Sequence, residues 1–135
     1  MKTNIIFLIL LITFLFSCNS DKTMSAENSN SMLIGKWEWT KSVGGIGAIT
    51  YTPLSTNKNK LLEITSDKIK FFENGTLTFE KKYNIETQQS IFGGQKEMLI
   101  FEQNSMVKQS FEISAVKLFL NDECADCFSS QYIKL

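Results

Sequence analysis

From Ile34 onward, apolar and polar residues alternate with a period of two, the mark of strands that bury one face. Trp37 and Trp39 share a side, with Lys36, Glu38 and Thr40 opposite. Leu77, Phe79, Tyr83 and Ile85 align, as do Val107, Phe111 and Ile113, then Val116, Leu118 and Leu120. The alternation predicts strands over 34–42, 48–53, 60–65, 68–73, 76–86, 96–102, 106–114, 115–121 and 128–134. Turn residues separate most of these runs. Asn74-Gly75 is the strongest, because both residues tolerate the positive φ of a type I′ hairpin turn. The boundary at 113–116 has neither Gly nor Pro. No segment after Leu33 carries a helical stripe, so the pattern predicts an all-β domain, an antiparallel sandwich or barrel.

The N-terminal end follows different rules. Lys2 precedes an apolar run from Ile5 to Phe16 interrupted only by Thr13. As helix it would cover about 18 Å, short of a ~30 Å hydrocarbon core, and its flanks fit an export signal. It closes on Leu15-Phe16-Ser17-Cys18, which resembles a bacterial lipoprotein signal. That resemblance implies a signal peptide over 1–17, cleavage before Cys18, and acylation of its sulfur and amine. Several acyl chains on one cysteine anchor a protein durably. Asn19 and Ser20 stand where an inner-membrane retention aspartate would fall, so the outer membrane is the expected address. Residues 18–33 are polar after the cysteine and read as a flexible tether. The expected domain is 34–135.

Charge narrows the functional classes. The chain has 14 basic and 14 acidic residues and no histidine, and every basic residue is lysine. Without imidazole there is no histidine-based acid–base group or triad and no histidine metal ligand. Without guanidinium there is no bidentate phosphate fork, and the lysines are scattered. Nucleic acid is not an expected partner, no metal or cofactor is expected, and no catalytic residue stands out. The Gly-rich 42–53 stretch SVGGIGAITYTP is followed by no helix pattern, so it reads as a connector or a lid and not as a phosphate loop.

Residues 34–39 read IGKWEW, with a Gly-x-Trp opening the first strand. Together with the pair around FFENGTLTFEKKYNI and the terminal LFLNDECADCFSSQYIKL, this resembles the short lipocalin-like domains of lipoproteins from Bacteroidetes-type bacteria. The resemblance implies an antiparallel up-and-down eight-stranded barrel. In it Gly35 lets the chain turn closely into the strand, and Trp37 closes the base. Lipocalins commonly lay an arginine from the last strand over this tryptophan, and here Lys134 occupies that place.

Trp39 lies two residues farther along the same face, about 7 Å toward the mouth. It either joins a fully packed aromatic interior or floors a pocket for a small apolar or amphiphilic ligand, with Phe71, Phe79, Tyr83, Phe111 and Tyr132 as further inward candidates. The second reading makes the protein a membrane-anchored ligand binder, the first an accessory protein that meets an envelope partner through its surface. Cys124 and Cys127 form a Cys-x-x-Cys among acidic neighbours in a loop before the last strand. Outside the cytoplasm a local disulfide is expected, with thiol or metal chemistry as the alternative.

Overall fold

The computed structural model describes residues 26–135. The expected signal peptide and Cys18 lie outside the described residues. Nine strands form a single antiparallel sheet: β1 Gly35–Gly44, β2 Ile49–Tyr51, β3 Lys60–Ile64, β4 Lys68–Glu73, β5 Thr76–Gln89, β6 Gln95–Phe101, β7 Gln109–Ser114, β8 Lys117–Asp122 and β9 Phe128–Lys134. The order is β2-β1-β3-β4-β5-β6-β7-β8-β9, and β9 returns to pair with β1. β1 and β3 to β9 therefore close an eight-stranded up-and-down barrel, with β2 as a flap on the far end of β1.

The strand boundaries follow the alternation closely, and the departures have local causes. β5 runs on to Gln89 because its second half pairs with β6, from Tyr83↔Phe101 to Gln89↔Gln95. β7 starts at Gln109, after the 3₁₀ turn Glu102–Asn104 and four further residues outside any strand. The Asn74-Gly75 turn has both residues at positive φ, 51° and 81°. The unmarked boundary at 113–116 is a two-residue turn between Ser114 and Lys117, with Ala115 held at φ 54°. A non-glycine residue there is strained, which is why composition hides this turn.

Two short helices were not expected. The first, α1 (Ala26–Leu33), replaces coil in the last part of the stretch read as a tether. Its Ser- and Asn-rich sequence is a poor helix former, so contacts beneath the barrel hold it. Leu33 is fully buried, its carbonyl accepts the Trp37 Nε1–H at 2.8 Å, and the Met32 carbonyl accepts Lys134 Nζ at 2.9 Å. The folded unit thus begins before residue 34. The second, α2 (Pro53–Thr56), is one turn, N-capped by Thr52 in a reciprocal capping box with Ser55.

The core is one cluster inside the barrel, built around Trp37, Trp39, Leu62, Ile69, Leu99 and Leu118, all at most 1% exposed. At the base, Lys134 Nζ sits 5.0 Å from the centroid of a Trp37 ring. Gly35 has φ 143°, and a Cβ there would lie 3.0 Å from Lys134 Cε, so the glycine serves both the backbone turn and the lysine's path. The outer faces carry exposed or half-exposed ion pairs such as Lys68–Glu80 at 2.9 Å, each contributing about 0–1 kcal/mol.

Candidate functional site

β1 runs from the base to the mouth and changes register on the way. Trp39 pairs with Tyr132, but Lys41 pairs with Gln131, so a bulge inserts one residue. Beyond it the inward positions are Ser42 and Gly44 in place of 41 and 43. Ser42 faces Ser130 across the seam, their hydroxyls 2.7 Å apart, and the Trp39 Nε1–H donates to Ser42 Oγ at 2.8 Å. Gly44 faces Phe128.

Above Trp39 the barrel opens into a cavity of about 470 Å³ lined by Trp39, Ser42, Tyr51, Thr56, Lys58, Lys60, Gln109, Asp122, Phe128 and Ser130. This is the size of a small-ligand site, equivalent to roughly 15 waters at ~30 Å³ each. Trp39 is its floor. Tyr51 and Phe128 form an aromatic wall, with ring centroids 5.9 Å apart and planes at 56°. Lys60 reaches in from β3, its Nζ 4.6 Å from a Trp39 ring centroid. Asp122 is built into the wall: Oδ1 accepts from Gln109 Nε2 at 2.7 Å and Oδ2 from the Phe128 N–H at 3.3 Å.

The wall has a gap beside Trp39. β3 pairs with β1 only up to Glu38↔Leu61, and β2 takes over at Ser42↔Tyr51. Trp39, Thr40 and Lys41 pair with neither. Lys60 stands at this gap, where it also lines an outer groove of about 400 Å³ with Leu61, Phe72 and Lys36 among its walls.

Of the inward aromatics proposed from sequence, only Trp39 lines the mouth cavity. Phe111 and Tyr132 are buried in the core, and Tyr83 is buried at the β3–β4 turn, its hydroxyl donating to the Thr65 carbonyl at 2.7 Å. Phe71 and Phe79 stack on each other, centroids 4.2 Å apart, with Phe79 38% exposed. Burial, with the Asp67 charge adding to it, pushes the Tyr83 phenol up to about 12. Burial raises Tyr132 as well, and the charge of Asp122 acts in the same direction. Both phenols stay neutral at physiological pH and serve packing.

Strand periodicity carried two residues farther toward the loops reaches Lys60, Gln109, Asp122 and Ser130, and one more step along β9 reaches Phe128. Ser42 needs the bulge as well, and Tyr51 needs the flap.

The loop over β8 and β9 is tied down at several points. Cys124 and Cys127 are joined by a disulfide, with Cα atoms 5.6 Å apart. So short a loop contributes ~2 kcal/mol by chain entropy. The Gly45 N–H donates to the Asp126 carbonyl at 3.2 Å, joining this loop to the β1–β2 turn. Glu123 is buried, accepting from Ser90 Oγ at 2.9 Å and the Ile91 N–H at 2.8 Å. Burial opposes its ionisation, but the Ser110 hydroxyl, the Ile91 N–H, the Ser90 hydroxyl and the charge of Lys108 outweigh it, holding the carboxyl below its ordinary 4.5.

A folded-state value below the unfolded one means Glu123 supports the fold above about pH 4.5, and that this support fades as pH falls through the folded value. Glu123→Gln is expected to lower the urea midpoint at pH 7 and to flatten its decline on acidification. An unchanged midpoint at pH 7 would contradict this.

The fold and cavity define a small closed barrel whose mouth is lined by three aromatic and seven polar or charged residues. No family model, no curated protein and no solved structure matches the chain. Among the described residues, no helix is long and apolar enough to cross a membrane, and no group of three or more His, Cys, Asp or Glu side chains is placed to hold a metal.

Proposed function

We propose that this chain is a lipocalin-like lipoprotein of the cell envelope that binds a small amphiphilic ligand at the barrel mouth and carries out no catalysis. The observation that carries the reading is the cavity of about 470 Å³ above Trp39. Its mixture of three aromatic rings with hydroxyl, amide and ammonium groups suits an amphiphile better than a purely apolar molecule.

The anchor rests on Leu15-Phe16-Ser17-Cys18, and the outer membrane on the absence of aspartate after the cysteine. α1 meets the barrel at its base, the end opposite the cavity, so a chain held through its N-terminal side would present the mouth away from its attachment. Cys18→Ser is expected to abolish incorporation of labelled palmitate and release the protein from the membrane fraction. Retention with full labelling would refute acylation at Cys18.

Ligand binding is tested by following tryptophan fluorescence of the full chain against a panel of short-chain amphiphiles. A saturable change is expected in wild type and its loss in Ser130→Phe, which puts a ring into the cavity beside Trp39. Fluorescence indifferent to the whole panel would refute the mouth as a binding site.

A second reading has its own observation. Ile46 and Leu54 stand at the rim, each 96% exposed. A protein partner covering them would make the barrel an accessory module. Crosslinking in intact cells through a photoreactive residue at position 46 would then recover one dominant envelope protein.

A further inference from the structure

We infer that the mouth selects ligands bearing an anionic group, and that Lys60 is the residue that selects them. The inference rests on the mouth being a binding site and specifies what it takes.

Three charged side chains line the cavity: Lys58, Lys60 and Asp122. Two already have partners, an ion pair for Lys58 and neutral N–H donors for Asp122. Lys58 Nζ pairs with Glu73 Oε1 at 2.9 Å, and both oxygens of Asp122 accept N–H groups from Gln109 and Phe128. Lys60 differs. Its register partner Glu73 is engaged by Lys58, and among the described residues its ammonium has neither an ion pair nor a hydrogen bond. Its contact is the face of Trp39, 4.6 Å from the ring centroid.

An ammonium held over an indole at the edge of the cavity offers three N–H donors to whatever enters. The aromatic faces around it attract a flat apolar group, and Trp39 gives the ammonium a cation–π contact but no hydrogen-bond acceptor. A ligand that lays an apolar body between the Trp39 floor and the Tyr51–Phe128 wall, and points a carboxylate, sulfonate or phosphate at Lys60, satisfies both. A cationic ligand of the same shape would meet Lys60 as a repelling neighbour. The gap between β1 and β3 places this lysine where the cavity meets the outer groove, so a larger anionic head can remain in water while its apolar body is inside.

Calorimetric titration of the full chain with three naphthalene probes of matched size tests this: a sulfonate, a hydroxymethyl and an ammoniomethyl derivative. Wild type is expected to bind the sulfonate about tenfold more tightly than the neutral probe, the gain of one charge-assisted hydrogen bond, and the cation most weakly. In Lys60→Met the sulfonate should bind no more tightly than the neutral probe does to the same variant, and Lys60→Arg should keep the preference. In wild type, added salt should weaken the sulfonate alone. Equal affinities for anion and neutral probe, or a preference that survives in Lys60→Met, would overturn the role of Lys60 while leaving the mouth as a site. Failure of all three probes to bind would overturn both.

Discussion

Replacing Trp37 by alanine is expected to lower the thermal midpoint by on the order of 15–30 °C, enough to leave the domain largely unfolded at physiological temperature. Deleting a buried tryptophan removes about 3–5 kcal/mol, and for a domain of this size each kcal/mol moves the midpoint by roughly 4–8 °C. The position magnifies the loss. Trp37 is fully buried, pairs with Leu62 on one side and Lys134 on the other, and holds α1 through the Leu33 carbonyl. Its removal empties the base and frees the helix that covers it. Two comparisons separate the contributions. Trp37→Phe keeps a ring under Lys134 but loses the indole N–H, so a smaller drop is expected. Lys134→Ala loses a cation–π contact of about 0.5–2 kcal/mol and should be milder still. Thermal unfolding followed by far-ultraviolet circular dichroism measures all three. A Trp37→Ala protein as stable as Lys134→Ala would mean that the base is not closed by this residue.

The second large effect is expected at Gly44, where alanine should destabilise by about 1–3 kcal/mol through overpacking. A Cβ there would collide with the Cys127 carbonyl oxygen and approach Phe128 Cδ1 at 2.7 Å and Phe128 Cα at 2.8 Å. Two of these contacts are backbone-side atoms that a rotamer change cannot move, so β9 must shift away from β1 at the seam that closes the barrel. Neighbouring glycines provide controls. Gly47→Ala meets only Ile49 side-chain atoms at 3.5 Å or more and should be close to neutral. Gly45→Ala meets nothing within 4 Å but has φ 75°, so it should pay only the left-handed backbone penalty of about 1–2 kcal/mol. Amide exchange at 128–130 should accelerate in Gly44→Ala and remain slow in Gly47→Ala. Unchanged exchange and stability in Gly44→Ala would contradict the close approach of β1 and β9.

These positions mark how far the sequence alone reaches. Strand existence and facing were legible because alternation is a local signal, and the Asn74-Gly75 turn was legible because its residue types match its backbone. The Ala115 turn was not, since it places an ordinary residue in a glycine-like conformation and is held there by the pairing on either side. The helix from Ala26 to Leu33 was hidden for a related reason: its support comes from Trp37 and Lys134, distant in the chain and close in space. Trp39 was legible as an inward residue above Trp37, because two steps along one strand face is a geometric statement, while alternation alone left open whether it packs the interior or floors a pocket. The rest of the cavity wall was not found. Most large aromatics fill the middle of a small barrel, whereas the open end is lined by Tyr51 and Phe128 together with the polar residues next in each alternation. Ser42 was hidden further by the bulge, which exchanges inside for outside within a single residue.

Native mass spectrometry of the full chain, released gently from the membrane of the cells that make it, tests the mouth most directly as a ligand site. Wild type is expected to carry a small anionic amphiphile that Ser130→Phe has lost. Wild type and Ser130→Phe each found at its own unliganded mass would contradict a ligand at the mouth, and so would an identical adduct on both.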